Sequence, residues 1–379
     1  MEPYTLDRNF HKVSIIDEFE SVIWTERYYG DSEVELVVPA TMEMIQKLTL
    51  GRFLGLDNSD EIMILETMNI EEGKLKITGI SLLKWLDNRF IRSTNKHEDR
   101  YWPLDNLTAG AMMWVVLYNM CCQGSPYLSG SINIGLTNPQ SLIIPGLTLQ
   151  AYDDTGPKIS VAVPYGPVYT TIRDNIAVTY EVGMKISLTS VTDTSYVLGY
   201  RNYKGLDYTS GQSVNPVVRF SPQMDSFTDI KEVQSIAALK TLVYAFAPGL
   251  KPDEGQPSLT TVPGVKSRTD SSYTGFDLRA QQIFADDITT DMVGGSQAKV
   301  VELLNSRALD ELTKDHYIKS VDGQIVPENQ FQYGINYHLG DIIEVEGNTG
   351  VVQSARITEY IRAQDSSGEK AYPTVAMIG

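Results

Sequence analysis

Glu33-Val34-Glu35-Leu36-Val37-Val38-Pro39 sets acidic positions against Val34, Leu36 and Val38, the period-two pattern of a strand with one buried and one wet face. Its neighbours extend the reading. Val13-Ser14-Ile15-Ile16 and Ser21-Val22-Ile23-Trp24 are short β-branched runs before it. After Pro39 a helical stretch, Met42 to Leu48, leads to Gly51, to Phe53–Leu56, to the polar turn Asp57-Asn58-Ser59-Asp60 and to Ile62–Leu65. Leu75 and Ile77 face one way and Lys74 and Lys76 the other, across a turn at Glu71-Glu72-Gly73. Strands packed this densely in the first segment point to a closed or nearly closed β-barrel, because closure removes exposed edges.

The remainder is less regular. Ile80–Ile91 reads as a short helix carrying Leu82, Leu83, Trp85 and Leu86, and Leu107–Cys122 as a longer one, capped by Asp105 or Asn106 and ended before Gly124. That second helix is apolar nearly all round, which predicts burial between domains or subunits. Residues 124–165 are rich in Gly, Pro, Ser and Thr and read as an extended excursion. A helix over Tyr169–Glu181 and strands at Met184–Leu188, Tyr196–Tyr200 and Val217–Phe220 make an α/β insert. Ser235–Phe246 fits a strand or a helix, with the strand preferred, residues 248–273 read as an exposed loop, and Gln297–Lys314 as a helix with Val301, Leu304, Ala308 and Leu312 on one stripe. Strands return at Tyr317–Val321, Asp341–Val345, Val351–Glu359 and Tyr372–Ile378.

The end echoes the beginning. Gly51 opens a strand, a polar turn and a second strand, and Gly340 opens the same order over Gly340–Ile357. Read as a degenerate repeat, this gives two related barrels at the chain ends with an insert between them. The fold class expected is α+β, mainly β. The domains expected are a first barrel over 1–95, an insert over 96–230, a connecting region over 231–316 that belongs in part to the second barrel, and second-barrel strands over 317–379.

Composition narrows the function. The 379 residues carry 31 Lys plus Arg against 48 Asp plus Glu, a formal charge of −17, which argues against a grip on nucleic acid through basic residues. Cys121 and Cys122 are adjacent, where a disulfide ring would be strained, so both are read as free thiols. No signal sequence precedes Phe10 and no apolar stretch is long enough to span a bilayer, so synthesis and assembly in a cytoplasm are expected.

Catalytic patterns are missing: there is no Gly-x-Ser-x-Gly, His-Glu-x-x-His, Gly-x-x-x-x-Gly-Lys or Gly-x-Gly-x-x-Gly. His11, His97, His316 and His338 are scattered, and Asp153-Asp154 and Asp286-Asp287 read as turn or cap residues rather than acid and base pairs. No catalytic residue, cofactor or metal site is expected. Tyr196, Tyr200, Tyr203 and Tyr208 could stack on glycans but read first as strand tyrosines. Glu33, Glu35, Glu344 and Glu346 project opposite apolar neighbours. They read as a solvated exterior, with an acidic channel wall as the alternative.

Several motifs together resemble one family. Ile15-Ile16-Asp17-Glu18-Phe19 with Trp24, Arg27-Tyr28 and Glu33–Pro39 resemble the start of the tail-tip (baseplate) hub, or minor tail protein, family of long-tailed bacteriophages, the siphovirus Gp37-like hubs related to contractile-tail hubs. Ile77–Leu83 followed by Arg89 is similar to its Gly-x-Ser-Leu-x-x-x-Leu-x-x-Arg run. Arg201–Thr209 and Val217–Ser221 resemble its insert, and Leu339–Val345 with Ala355–Glu359 its second barrel. The resemblance implies two tail-tube-like barrels and a homotrimer, whose six barrels continue a sixfold tube. It implies a virion protein of the distal tail tip. Its partners would be the distal tail, tube or tape-measure proteins and fibre or receptor-binding proteins, with DNA only as passing cargo and the host surface reached indirectly. An acidic lumen would keep phosphates from sticking. Many relatives carry a hydrolase or fibre domain, and none is expected after Gly379. The rival expectations are a cell-wall or polysaccharide hydrolase on a hub scaffold, and a glycan-binding receptor module.

Overall fold

A computed structural model of the chain describes residues 1–91, 101–122, 143–144, 146–150, 155–192, 195–237, 239–247, 264–267, 273–285, 288, 296–314, 318–326 and 330–378. These fall into two compact units, one of Met1–Asp229 with Gly323–Ile378 and one of Ile230–Asp322.

In the first unit the chain runs through β1 (Pro3–Leu6), β2 (Lys12–Ile15), β3 (Ser21–Arg27), β4 (Glu33–Pro39), α1 (Met42–Lys47), β5 (Phe53–Leu56), β6 (Ile62–Glu71), β7 (Lys74–Ser81) and the one-turn α2 (Leu82–Trp85). It continues through β8 (Tyr101–Thr108), α3 (Ala109–Leu117), β9 (Leu147–Leu149), β10 (Lys158–Pro164), α4 (Val168–Ile172), β11 (Gly183–Thr192), β12 (Ser195–Tyr203) and β13 (Arg219–Phe220). β14 (Phe227–Ser235) leads into the second unit, which holds β15 (Leu242–Phe246), β16 (Gly264–Ser267), β17 (Ala280–Phe284) and α5 (Gln297–Lys314). β18 (Ile318–Ile325) returns from it, paired with β14, and β19 (Ile342–Glu346), β20 (Val352–Asp365) and β21 (Gly368–Met377) complete the first unit.

The period-two strands of the opening segment form as expected. Val34, Leu36 and Val38 of β4 meet Val22 and Trp24 of β3, Leu54 and Leu56 of β5, Met63 and Leu65 of β6, and Leu75 and Ile77 of β7 in one core. Met44 and Leu48 at α1 plug it, and Thr41 caps that helix by accepting from the Met44 amide. Each such side chain, fully withdrawn from water, contributes about 1.5–3 kcal/mol.

Both ends of the chain lie in one sheet, ordered β13-β19-β20-β3-β4-β7-β6-β5-β1-β2, with β21 on the other edge of β20. Its centre is β20. Val352–Arg356 of this strand pairs with β19, while Glu359–Gln364 pairs with β3 and residues 355–365 pair with β21. Among the described residues the path ends at β13 and β2 and does not close on itself. Where closure was expected to remove the edges, β3 loses its free edge to a strand made near the other end of the chain.

A second core lies between this sheet and the stretch from β8 to β12. Every residue of β5 is buried, because Leu54 and Leu56 face the first core while Phe53 meets Ile64, Leu82, Met112, Val116, Ile172 and Ile186 in the other. The helix expected from Leu107 begins at Ala109, capped by Thr108 rather than Asp105 or Asn106, because β8 stays paired with β10 as far as Thr108. It is buried as its composition predicts. The expected helices over Ile80–Ile91 and Tyr169–Glu181 are each a short α-helix followed by a tighter or wider turn.

In the second unit α5 covers the three-stranded sheet of β15, β16 and β17. Its buried stripe is Val300, Leu304, Ala308 and Leu312, with Val300 in place of the expected Val301, since steps of four from Leu304 keep one face over Val243 and Ala245. The strand expected over Ser235–Phe246 starts only at Leu242, after a turn in which the Leu239 amide bonds to the Ile236 carbonyl.

Candidate functional site

The two glycine-led hairpins close with the same pair of backbone bonds. Gly51 donates to the Leu65 carbonyl at 2.7 Å and Leu65 to the Arg52 carbonyl at 3.0 Å; Gly340 donates to the Ile357 carbonyl at 2.8 Å and Ile357 to the Asp341 carbonyl at 2.9 Å. Both glycines take positive φ, 75° and 93°, where a side chain is strained.

Around the second hairpin the parts of the first unit converge. A Cβ on Gly340 would lie 2.3 Å from the Tyr28 ring, and one on Gly205 would lie 1.9 Å from the Gly340 carbonyl oxygen. The Tyr28 hydroxyl donates to the Glu181 and Tyr203 carbonyls at 3.1 and 3.2 Å. Burial raises the Tyr28 phenol above its ordinary value, against the pull of Arg356. Arg356 is itself 2% exposed. It lies over the Tyr28 ring and donates to the Gly340 carbonyl at 2.9 Å and to Glu181 Oε2 at 2.7 Å. The residue that follows β3, the two ends of the β11–β12 pair and the closing hairpin are thus held at one buried joint.

The acidic positions read from the sequence separate here. Glu33 is exposed and pairs with Arg27 at 2.6 Å, and Glu35 pairs with Lys76 at 2.8 Å. Glu346 is half-buried at the end of β19. Glu344 is 4% exposed. Its Oε1 accepts from the amide and hydroxyl of Ser210 at 2.9 and 2.6 Å, and its Oε2 pairs with Arg219 at 2.7 Å. Burial works to raise this carboxyl, but Ser210 and the Arg219 guanidinium outweigh it and hold it below its ordinary value. Glu33 and Glu35 share one face of β4, while Glu344 sits in a different environment as an anchor.

What Glu344 anchors is the segment 205–219, which pattern reading missed. Its backbone runs along β19: Ile342 donates to the Leu206 carbonyl, Tyr208 to the Ile342 carbonyl and Glu344 to the Val218 carbonyl. Asp341 Oδ1 accepts from the Leu206 amide at 2.7 Å. The Gln212 side chain donates to the Thr209 and Asn215 carbonyls and accepts from the Val214 and Asn215 amides. A loop so thoroughly bonded presents Val214 at 88% exposure, with Leu206 and Val217 also exposed. Its single charged side chain apart from Arg219 is Asp207, whose Oδ1 accepts from the Thr209 amide. The loop is charge-poor, and its exposed tip is aliphatic. The Gly205 and Gly340 motifs were the available signal.

Tyr200 is buried and Tyr203 packs edge-on against Tyr28 at 5.2 Å, so these tyrosines serve the core. Cys121 is buried and Cys122 half-buried, both free, with burial pushing their thiols up to about 12 and about 11. His11 lies against Asp7 and His338 against Asp341. His97, His316, Asp153-Asp154, Asp286-Asp287 and most of the excursion read at 124–165 and of the exposed loop read at 248–273 lie outside the described residues. Among the described residues no group of three or more His, Cys, Asp or Glu could hold a metal ion, and no helix is long and apolar enough to cross a membrane.

The family described as Siphovirus ReqiPepy6 Gp37-like protein matches residues 2–375. The crystal structure of prophage tail protein gp18 from Listeria monocytogenes EGD-e aligns over 100% of this chain and 95% of its own, with 11% identity and a TM-score of 0.52. The 43 kDa tail protein of prophage MuSo2 from Shewanella oneidensis aligns over 99% of this chain and 98% of its own, with 12% identity and a TM-score of 0.54. At these identities the likeness is one of fold. No curated protein matches the chain.

Proposed function

This chain belongs to the Siphovirus ReqiPepy6 Gp37-like protein family, and from that premise we propose that it is the structural hub at the distal end of a phage tail tube. It works as a homotrimer in which the two glycine-led modules of each subunit act as tube-like units, six in the ring. The observation that carries this reading is the repeated closure at Gly51 and Gly340, two copies of one hairpin device in one sheet. A trimer built of such paired modules can match a sixfold tube where an unpaired module cannot.

In this reading the domain boundaries expected above mark the modules and the insert. Distal tail, tube or tape-measure proteins contact one end of the ring and fibre or receptor-binding proteins the other, with DNA as passing cargo. The 205–219 loop supplies a contact surface. Glu33, Glu35 and Glu346 are the acids assigned to the lumen, softened at two of these positions by Arg27 and Lys76, while Glu344 holds the loop. Among the described residues no observation favours a hydrolase or a glycan module. Native mass measurement and electron microscopy of the purified chain test the hub: rings of three subunits are expected, alone or with tube proteins. A persistent monomer that forms no ring with either would sink it.

A further inference from the structure

The insert meets the opening sheet at a second buried cluster, distinct from the Tyr28 joint. Glu26 of β3 and Glu61, just before β6, are 4% and 3% exposed. Lys185 of β11 reaches toward both at 3.8 Å but makes its direct contact with Asp60. Glu26 is served by its own partners, the Arg362 guanidinium from β20 and the Ser59 hydroxyl at 2.6 Å. Arg201 of β12 stands on the outer side, 3.6 Å from Asp60. Tyr203 of β12 adds a half-buried phenol that feels Glu61, and the Ser32 hydroxyl bonds the Glu61 carboxyl. Glu61 is therefore the acid without a cation at hydrogen-bonding distance, deep in the interior and facing two other carboxylates. An ionised carboxyl left this way is costly, and the cheaper state is the neutral acid.

The residue sits where the insert is fastened. Glu61 bridges to Ser187, and the Leu188 amide of β11 donates to the Asp60 carbonyl at 2.8 Å. We propose that Glu61 carries a proton while this fastening is closed, and that ionising it favours release of the 57–61 turn from β11. The joint between insert and sheet is then a proton-sensitive latch, independent of whether the assembly is a trimer.

Burial, opposed by Lys185 and reinforced by Glu26, raises Glu61 from its ordinary 4.5 to about 8. An opened turn returns the group to its ordinary value. Opening is therefore favoured as pH rises, about tenfold per pH unit between those two values, and levels off above the upper one. Hydrogen exchange of the Leu188 amide in the full chain, corrected for the intrinsic rate, reads this directly. The wild type is expected to show that slope, and Glu61→Gln, which keeps the shape without the titration, a flat profile. Carbon-13 titration of the Glu61 carboxyl in the wild-type protein gives a second reading that needs no variant, with a midpoint near 8 expected. A midpoint in the ordinary carboxylate range, or a Glu61→Gln profile that follows the wild type, overturns the latch.

Discussion

The Gly51 and Gly340 hairpins share their closing bonds, yet the residue one step before the closing position is Ile64 in the first and Arg356 in the second. Ile64 lies in an apolar core beside Phe53 and Leu82. Arg356, equally hidden, is spent on Glu181 and the Gly340 carbonyl. The backbone device is the same and the surroundings differ. The strands of the first hairpin are held by the hydrophobic effect, which needs no particular partner, and directed bonds are confined to its 57–61 turn. The second is held by directed bonds to residues far away in the chain, which fix one arrangement and fail if any member is lost.

The sharpest way to break this contrast is to put alanine at each glycine. Gly340→Ala should cost about 3 kcal/mol or more, since left-handed strain adds to a collision with the Tyr28 ring. Gly51→Ala should cost about 1–2 kcal/mol, because the nearest atom is the Arg8 guanidinium at 3.4 Å. Urea unfolding measures both, and equal losses would mean that the second hairpin is not the more constrained. Arg356→Met follows at about 2 kcal/mol, chiefly from the undonated Gly340 carbonyl, because Glu181 regains water.

The two hairpins should also answer pH in opposite senses. Glu61, in the first, is raised by burial, so its contribution is greatest below its ordinary value and fades as pH rises toward about 8. Glu344, in the second, is held low by Ser210 and Arg219 despite burial. Its contribution is present above the ordinary carboxylate value and is lost as pH falls through the lowered one. Exchange at the Ser210 amide, against that at Leu188, reports the pair. Glu344→Gln should remove the acid-side loss at a cost of about 1 kcal/mol. The smallest effect on stability is expected for Val214→Ser, within about 0.5 kcal/mol, since its side chain stands in solvent. If the 205–219 loop is a contact surface, that variant should still weaken assembly measured by light scattering.

The first hairpin was legible because its information is local: alternation in β4 and β7 and an apolar run in β5 follow from neighbours in the chain. The start of α3 was misread because β10 holds Thr108 in a ladder, and no local rule sees a partner fifty residues on. Glu344 looked solvated because alternation with Ile343 and Val345 implies a wet face. Ser210 and Arg219, more than a hundred residues earlier, enclose its carboxylate instead. The family motifs marked Gly205 and Gly340 as places to look, but their close approach to one another and to Tyr28 is a property of the folded backbone.

The three-way pairing of β20 has a consequence for how the molecule is made. β3 cannot gain its second neighbour until residues 359–364 exist, so during synthesis it waits as a bare β edge while more than three hundred further residues are added. At roughly 5–20 residues per second that interval is on the order of half a minute, a long time for an apolar strand to avoid the wrong partner. Acquisition of the native state should therefore be limited by the ribosome's pace and late chain closure, and protease pulses on nascent chains should find the opening segment vulnerable until the last strands emerge.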